Sequence, residues 1–165
     1  MNTQSGWARD QEGCYHTIEA VKPEQVVQMA EEILRERCAH GEIMSDPAQV
    51  RRWLSLKVGG LEHEVFGILF LDNRHRIIQY QEMFRGTVDG TSVHVREVIK
   101  EALRVNAQAL VFVHNHPSGV AEPSDADRRL THRLKDACGL VDIHVLDHFV
   151  VGGASTMSFA ERGFL

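Results

Sequence analysis

Two histidines separated by a single residue, with an aspartate in the element that follows, form the part of this sequence best suited to chemistry. Alternate side chains of an extended chain point the same way, so His114 and His116 project from one face at the end of an apolar segment. Asp127 falls in the first turn of a helix that begins at Ser124, and this helix can direct the carboxylate back toward the imidazoles. Two histidines and one carboxylate leave a fourth tetrahedral position for water, as in catalytic zinc sites. We therefore predict that His114, His116 and Asp127 bind one Zn²⁺ per chain.

The elements that must position these residues alternate between strand-like and helical patterns. Runs of apolar, β-favouring residues indicate strands, and apolar residues three and four apart indicate helices. The first such run is apolar almost throughout, which is typical of a strand covered on both faces. The patterns predict strands at 64–71, 77–84, 109–113 and 143–151, and helices at 95–103 and 124–138. The expected fold class is α/β, a mixed β-sheet with flanking helices.

The N-terminal third has a different character. Its first residues are polar and show no periodicity, as in a loose tail. Two amphipathic helices are predicted next, and the second begins at Ser45-Asp46-Pro47 and stops at Gly59-Gly60. The predicted organisation is a tail over 1–21, a short N-terminal helical extension over 22–60, and the main domain over 61–165.

Composition and charge exclude several classes of protein. The formal net charge of −5 and a pI of about 6.0 argue against a dedicated binder of nucleic acid or of anionic membranes. The longest apolar run, 65–71, is too short to cross a bilayer, and the first residues lack the pattern of a signal peptide. The three cysteines are widely spaced and form no Cys-x-x-Cys motif, as expected in a reducing compartment. We therefore expect a cytoplasmic protein with no membrane partner.

The longer pattern around the histidines resembles a known signature. His-x-His-Pro, six residues, and then Ser-x-x-Asp resembles the JAMM motif of the JAB/MPN metalloprotease family at every fixed position. The flanking sequence is similar to the bacterial RadC-like branch of that family over about 61–165. This similarity is carried by Phe84-Arg85-Gly86-Thr87, Arg96-Glu97-Val98, His114-Asn115-His116-Pro117-Ser118-Gly119, Leu146-Asp147-His148 and Ser158-Phe159-Ala160-Glu161-Arg162-Gly163. The resemblance implies a JAB/MPN (cytidine-deaminase-like) architecture.

The resemblance also implies two further functional residues. A glutamate at the start of the first core strand would act as general base for the attacking water. Glu64 fits this position best, because it directly precedes the apolar run, and Glu62 is the alternative. Ser124 would support the oxyanion of the tetrahedral intermediate. Ser124 and Asp127 also form a capping-box pattern, so a purely structural role at the helix start could explain both residues.

The function implied is that of a zinc-dependent hydrolase, of the metallopeptidase or isopeptidase type, which cleaves an amide bond in a peptide or protein substrate that the sequence does not identify. One alternative is a non-catalytic zinc-bearing interaction module, because fold does not fix activity. Another is a DNA-repair accessory protein, against which the net charge of −5 argues. Typical RadC-like chains carry a helix-hairpin-helix-like region ahead of the JAB domain, and we expect this chain to be a short form without it. Other divalent ions also suit the ligand set, and the oligomeric state is left open.

Overall fold

The computed structural model describes residues 7–10, 12, 14–17, 20–39, 47–86 and 92–165. The proposed helix start at Ser45 and Asp46, and Thr87 in one of the family-like segments, lie outside these residues. Within the described part of the chain the elements are β1 (Trp7–Arg9), β2 (Tyr15–Thr17), α1 (Pro23–Ala39), α2 (Pro47–Val58), β3 (Val65–Leu71), β4 (Ile77–Arg85), α3 (Val95–Arg104), β5 (Ala109–Asn115), α4 (Asp125–Gly139), β6 (His144–Gly152) and β7 (Ser155–Ser158).

A five-stranded sheet forms the centre of the fold, in the order β4-β3-β5-β6-β7. β5 and β6 run parallel, and the other neighbouring strands run antiparallel. The α4 helix connects β5 to β6, as a parallel pair requires a crossover. The predicted α/β class with a mixed sheet and flanking helices is confirmed.

Both faces of the sheet are covered by helices, and β3 shows how the sequence achieves this. All seven of its residues are buried. Phe66, Ile68 and Phe70 pack on the face that α3 and α4 cover, while Leu69 and Leu71 pack on the opposite face. A strand buried on both sides has no polar face, so its sequence is a continuous apolar run rather than an alternating one.

The α2 helix covers the second face of the sheet. Its inward side chains Val50, Trp53, Leu54 and Val58 are buried in the same cluster as Leu69. This helix therefore packs directly on β5, β6 and β7, although it lies in the segment predicted as an extension. The division of the chain at residue 61 stays a prediction.

Three features differ from the sequence-based expectations. Within the segment predicted as a loose tail, β1 and β2 pair antiparallel, and Trp7 is buried, so that expectation is corrected for these residues. The β7 strand was not predicted, because its sequence, Ser-Thr-Met-Ser, carries no apolar run. It pairs with β6 across a tight turn that contains Gly153 at a φ of 56°. The β5 strand continues to Asn115, so His114 belongs to the strand rather than to the loop after it.

Among the described residues, no helix combines the length and apolar character needed to cross a membrane.

Candidate metal centre

His114 lies near the carboxyl end of β5, in the middle of the sheet. It pairs with Phe66 of β3 and with Val150 of β6, and only 2% of its surface is exposed. His116 follows the end of β5, and its backbone N–H donates to the carbonyl of Val151 at 2.8 Å. The strand pairing thus continues past Asn115 and holds both histidines at the carboxyl end of β5, where the alternation of side chains along a strand places both rings on the same face.

The structure brings His114, His116 and Asp127 together. One ligand atom from each lies within 4.8 Å of the other two. The Nε2 atoms of His114 and His116 are 3.0 Å apart, and they lie 3.5 Å and 3.7 Å from the two carboxylate oxygens of Asp127. Ligand atoms at about 2.0–2.2 Å from one tetrahedral ion lie about 3.3–3.6 Å apart. The donor set and its spacing therefore fit a zinc-sized ion with little adjustment.

The ring of His116 is oriented by the loop that follows it. Its Nδ1–H donates to the carbonyl of Val120 at 2.7 Å, because a carbonyl can only accept. A turn closed by the N–H of Gly119 on the carbonyl of His116 brings Val120 back to the ring, with Gly119 at a φ of 82°. A neutral His116 that donates from Nδ1 keeps the lone pair of Nε2 free for a metal.

Asp127 is held by the start of α4. Ser124 caps this helix in a full capping box, in which Asp127 Oδ2 accepts from the backbone N–H of Ser124 at 2.7 Å and from its hydroxyl at 2.6 Å. The other oxygen, Oδ1, faces His114. The capping role of Ser124 is thus present, and its role at an oxyanion stays a prediction.

The local charges favour an ionised carboxylate and a protonated imidazole at this cluster. Burial by itself raises the pKa of Asp127, but hydrogen bonds from His114, His116 and Ser124 outweigh it and hold the pKa well below its ordinary value. The hydrogen bond to Asp127 is the largest effect on His116 and raises its pKa above 6.5. The negative charge of the cluster therefore lies on Asp127, and the balancing proton lies on His116. A bound cation would take the place of that proton.

Of the two candidates for general base, only Glu64 can be related to the cluster. Glu64 directly precedes β3 and is half-buried, whereas Glu62 is exposed. The negative charge of Glu64 contributes to the raised pKa of His116, which places its carboxylate within electrostatic reach of that ring. The choice of Glu64 as base stays a prediction.

Asn115, between the two histidines, holds the segment that carries Glu64. Its Oδ1 accepts from the backbone N–H of Val65 at 2.8 Å, and its Nδ2 donates to the carbonyls of Leu61 and His63 at 3.3 and 3.0 Å. The amide is buried and bonds to three points on residues 61–65. Sequence reasoning gave Asn115 no role, although a polar residue inside a buried strand end was a usable signal.

His148 is the second residue that the sequence analysis left without a role. It is fully buried in β6, and its ring stacks on Phe159 and meets the edges of Phe66 and Phe112. Burial, followed by repulsion from His114, holds the pKa of His148 well below its ordinary value, so the ring is neutral. A buried polar side chain in an otherwise apolar strand core was again the signal, because such a group requires hydrogen-bond partners.

A mixed sheet with helices on both faces, with a His-x-His at the carboxyl end of its central strand and an aspartate in the first turn of the following helix, defines a JAB-type domain with a candidate metal centre. The sequence model of the family described as the RadC-like JAB domain matches residues 44–164. The chain belongs to this family. The match begins ahead of residue 61 and so includes α2, in keeping with the packing of that helix on the sheet.

Similar proteins occur in several bacteria, each named "UPF0758 protein". One from Vibrio cholerae is 58% identical over 141 residues, which cover 86% of this chain and 89% of the relative. One from Marinobacter nauticus is 52% identical over 149 residues, covering 90% of this chain but only 66% of the relative. One from Vibrio campbellii is 48% identical over 162 residues, covering 96% and 72%. These names state no activity, so the comparisons establish the family and leave the reaction open.

Proposed function

We propose that this protein is a zinc-dependent hydrolase that cleaves an amide bond in a peptide or protein substrate. The observation that carries the proposal is the convergence of His114 Nε2, His116 Nε2 and the Asp127 carboxylate. This set supplies three protein ligands and leaves one tetrahedral position open, which distinguishes catalytic from structural zinc sites. Membership of the RadC-like JAB domain family supports the same conclusion.

The residues present fit the metal and define what each side chain would do. Bound at this cluster, a zinc ion would lower the pKa of a water molecule far below its value in bulk water, to about 7, and polarise the substrate carbonyl. Glu64 would take a proton from the attacking water and pass it to the leaving amine. Ser124 would turn its hydroxyl from Asp127 toward the developing oxyanion. His114, His116 and Asp127 would hold the ion.

The first test measures the metal content of the purified protein by elemental analysis. We expect about one zinc per chain in the wild type, as a single three-ligand site requires. The His114→Ala/His116→Ala double variant should contain none, since only the carboxylate would remain. A wild type that takes up no metal even after zinc is supplied would contradict the proposal and favour a non-catalytic interaction module.

The second test separates the base from the ligands. The loaded wild type is screened for cleavage of fluorogenic peptide and isopeptide libraries. Glu64→Gln should keep the metal and lose about 100-fold or more of the turnover, the contribution typical of a positioned general base. Glu62→Gln is the matched control and should behave as wild type. Full turnover in the Glu64 variant, with loss of turnover in the Glu62 variant, would instead identify Glu62 as the general base.

A further inference from the structure

A line of buried hydrogen bonds leaves the candidate metal centre at His114 and returns to it at the backbone of Asp127. His114 Nδ1 lies 2.8 Å from His148 Nε2. His148 Nδ1 lies 2.6 Å from the hydroxyl of Thr131, and that hydroxyl lies 2.6 Å from the carbonyl oxygen of Asp127. Three elements, β5, β6 and α4, are joined by this line.

The position of each proton follows from the carbonyl at the end of the line. A carbonyl only accepts, so the single hydroxyl proton of Thr131 is donated to Asp127. The hydroxyl oxygen must then accept from His148, which places a proton on His148 Nδ1. His148 carries only that one proton, because its ring is fully buried and neither of its hydrogen-bond partners bears the negative charge that a buried imidazolium would need. Its Nε2 is therefore unprotonated and accepts from His114 Nδ1–H. The remaining nitrogen of His114, Nε2, is the atom that faces His116 and Asp127.

The surroundings of His148 leave no room for another arrangement. The ring is fully buried between aromatic side chains, with Phe159 stacked on it at 4.8 Å between ring centroids. Thr131 is also fully buried, and His114 is almost fully buried, so water cannot replace either hydrogen-bond partner of His148. In the opposite arrangement the Thr131 hydroxyl would donate to His148. Its oxygen would then lie 2.6 Å from the carbonyl oxygen of Asp127 with no proton between the two atoms, which is repulsive. A buried polar network is stable only when every member has its partner.

We propose that Thr131 and His148 are positioning residues that fix His114 in the Nδ1–H tautomer and so present its Nε2 to the metal. The proposal rests on the metal centre proposed above and adds the residues that prepare one ligand for it. Partners behind a ligating histidine set its tautomer and ring direction, and removing them typically costs about 10–100-fold in metal affinity. Because the line ends on Asp127, it also ties the ligand from β5 to the helix that carries the ligand from α4.

The direct test reads the ring protons by NMR. Two-bond ¹H–¹⁵N correlations in ¹⁵N-labelled protein distinguish protonated from unprotonated ring nitrogens. We expect protons on Nδ1 of both His114 and His148, and none on His148 Nε2, in metal-free and zinc-loaded protein alike. The exposed His132 and His144 serve as references.

A matched pair of variants tests the hydroxyl. Thr131→Val replaces it with a methyl group of similar size, whereas Thr131→Ser keeps it. Thr131→Val should release the Nδ1 proton of His148 and weaken zinc binding by about 10–100-fold in a competition titration with a chromophoric chelator. Thr131→Ser should keep the wild-type tautomers and affinity. Dispersed NMR spectra of both variants verify that they fold.

The outcomes separate this proposal from the proposed function. An unprotonated Nδ1 on His148 in the wild type, or wild-type zinc affinity in Thr131→Val, would overturn the role of Thr131 and His148 whatever the protein catalyses. A wild type that binds no zinc, yet carries both Nδ1 protons, would contradict the hydrolase proposal while supporting the assigned tautomers.

Discussion

Asn115 offers the sharpest test of how the strand end supports the centre. Its amide makes three hydrogen bonds to residues 61–65. In one of them it accepts from the backbone N–H of Val65, a residue that is only 1% exposed. Asn115→Leu keeps the approximate shape of the side chain and removes all three bonds. The Val65 N–H then stays buried and unpaired at a cost of about 1–3 kcal/mol, and the half-buried carbonyls of Leu61 and His63 add about 1 kcal/mol between them.

We therefore expect Asn115→Leu to lower the free energy of unfolding by about 2–4 kcal/mol, measured by urea denaturation of the metal-free protein. Hydrogen exchange should accelerate at the amides of Val65 and Gly86, because the latter donates to the carbonyl of Glu64. Zinc content should stay at the wild-type level, since the histidine rings are held by His148 and Val120 instead.

Asn115→Ala serves as the companion variant, because it adds a cavity to the same loss of hydrogen bonds and should be less stable than Asn115→Leu. An unfolding free energy for Asn115→Leu within about 0.5 kcal/mol of wild type would refute the argument, since surface substitutions alone produce changes of that size. Loss of zinc without faster exchange at Val65 would also refute it, because Asn115 would then act on the ligands themselves.

Three further predictions concern the loop, the charges and the helix cap. Gly152→Ala should weaken zinc binding in a chelator competition titration, because a Cβ there would meet the backbone of Val120 at 2.5 Å and displace the carbonyl that orients His116. Unchanged zinc affinity would show that this loop does not determine the orientation of the His116 ring. The raised pKa of His116 stabilises the metal-free fold fully below the unfolded value of about 6.5, and this contribution is lost as the pH rises through the folded pKa. Zinc affinity should change in the opposite direction and fall as the pH drops through that pKa, because a protonated imidazole cannot bind a metal. Urea denaturation measures the change in stability from pH 5 to 9, and zinc titration measures the change in affinity. The His116→Gln variant should lose the contribution of His116 to both pH dependences. Ser124→Ala should cost about 1 kcal/mol in unfolding free energy, and Ser124→Gly only a few tenths, if capping is its structural contribution; equal losses would assign the cost to the hydrogen bond on Asp127 instead.

Much of the fold could be predicted because its core strands carry strong local patterns. The β3 run and the Ser124 cap are readable from sequence, since continuous apolar residues and a capping box each have one dominant structural meaning. β7 could not be read, because a short polar strand is stabilised by pairing with β6 rather than by its own composition. The β1–β2 pair was missed for the same reason, since each of these strands is only three residues long and is held by pairing with the other.

The candidate site was predictable only in part. The residues that could be predicted lie close together in the sequence, and those that could not have partners far away in it. His114, His116 and Asp127 are close in the chain, so alternation along a strand and the first turn of a helix suffice to bring them together. Asn115 and His148 act on partners far away in sequence, at Val65 and at His114 respectively. Their roles depend on the order of strands in the sheet, which no local pattern specifies.

The closeness of the three ligand residues in sequence has a consequence for how zinc and folding are coupled. All three lie within residues 114–127, and bringing the ends of so short a segment together costs little chain entropy. If the proposed zinc site is correct, we therefore expect the unfolded chain to hold the ion with the same side chains, though without the oriented rings. Because an ion that also binds the unfolded state stabilises the native state less than its native affinity implies, zinc should raise the unfolding midpoint by less than that affinity predicts. The same local chelation would let the ion bind early in refolding, before β6 docks and the ring of His114 acquires its partner.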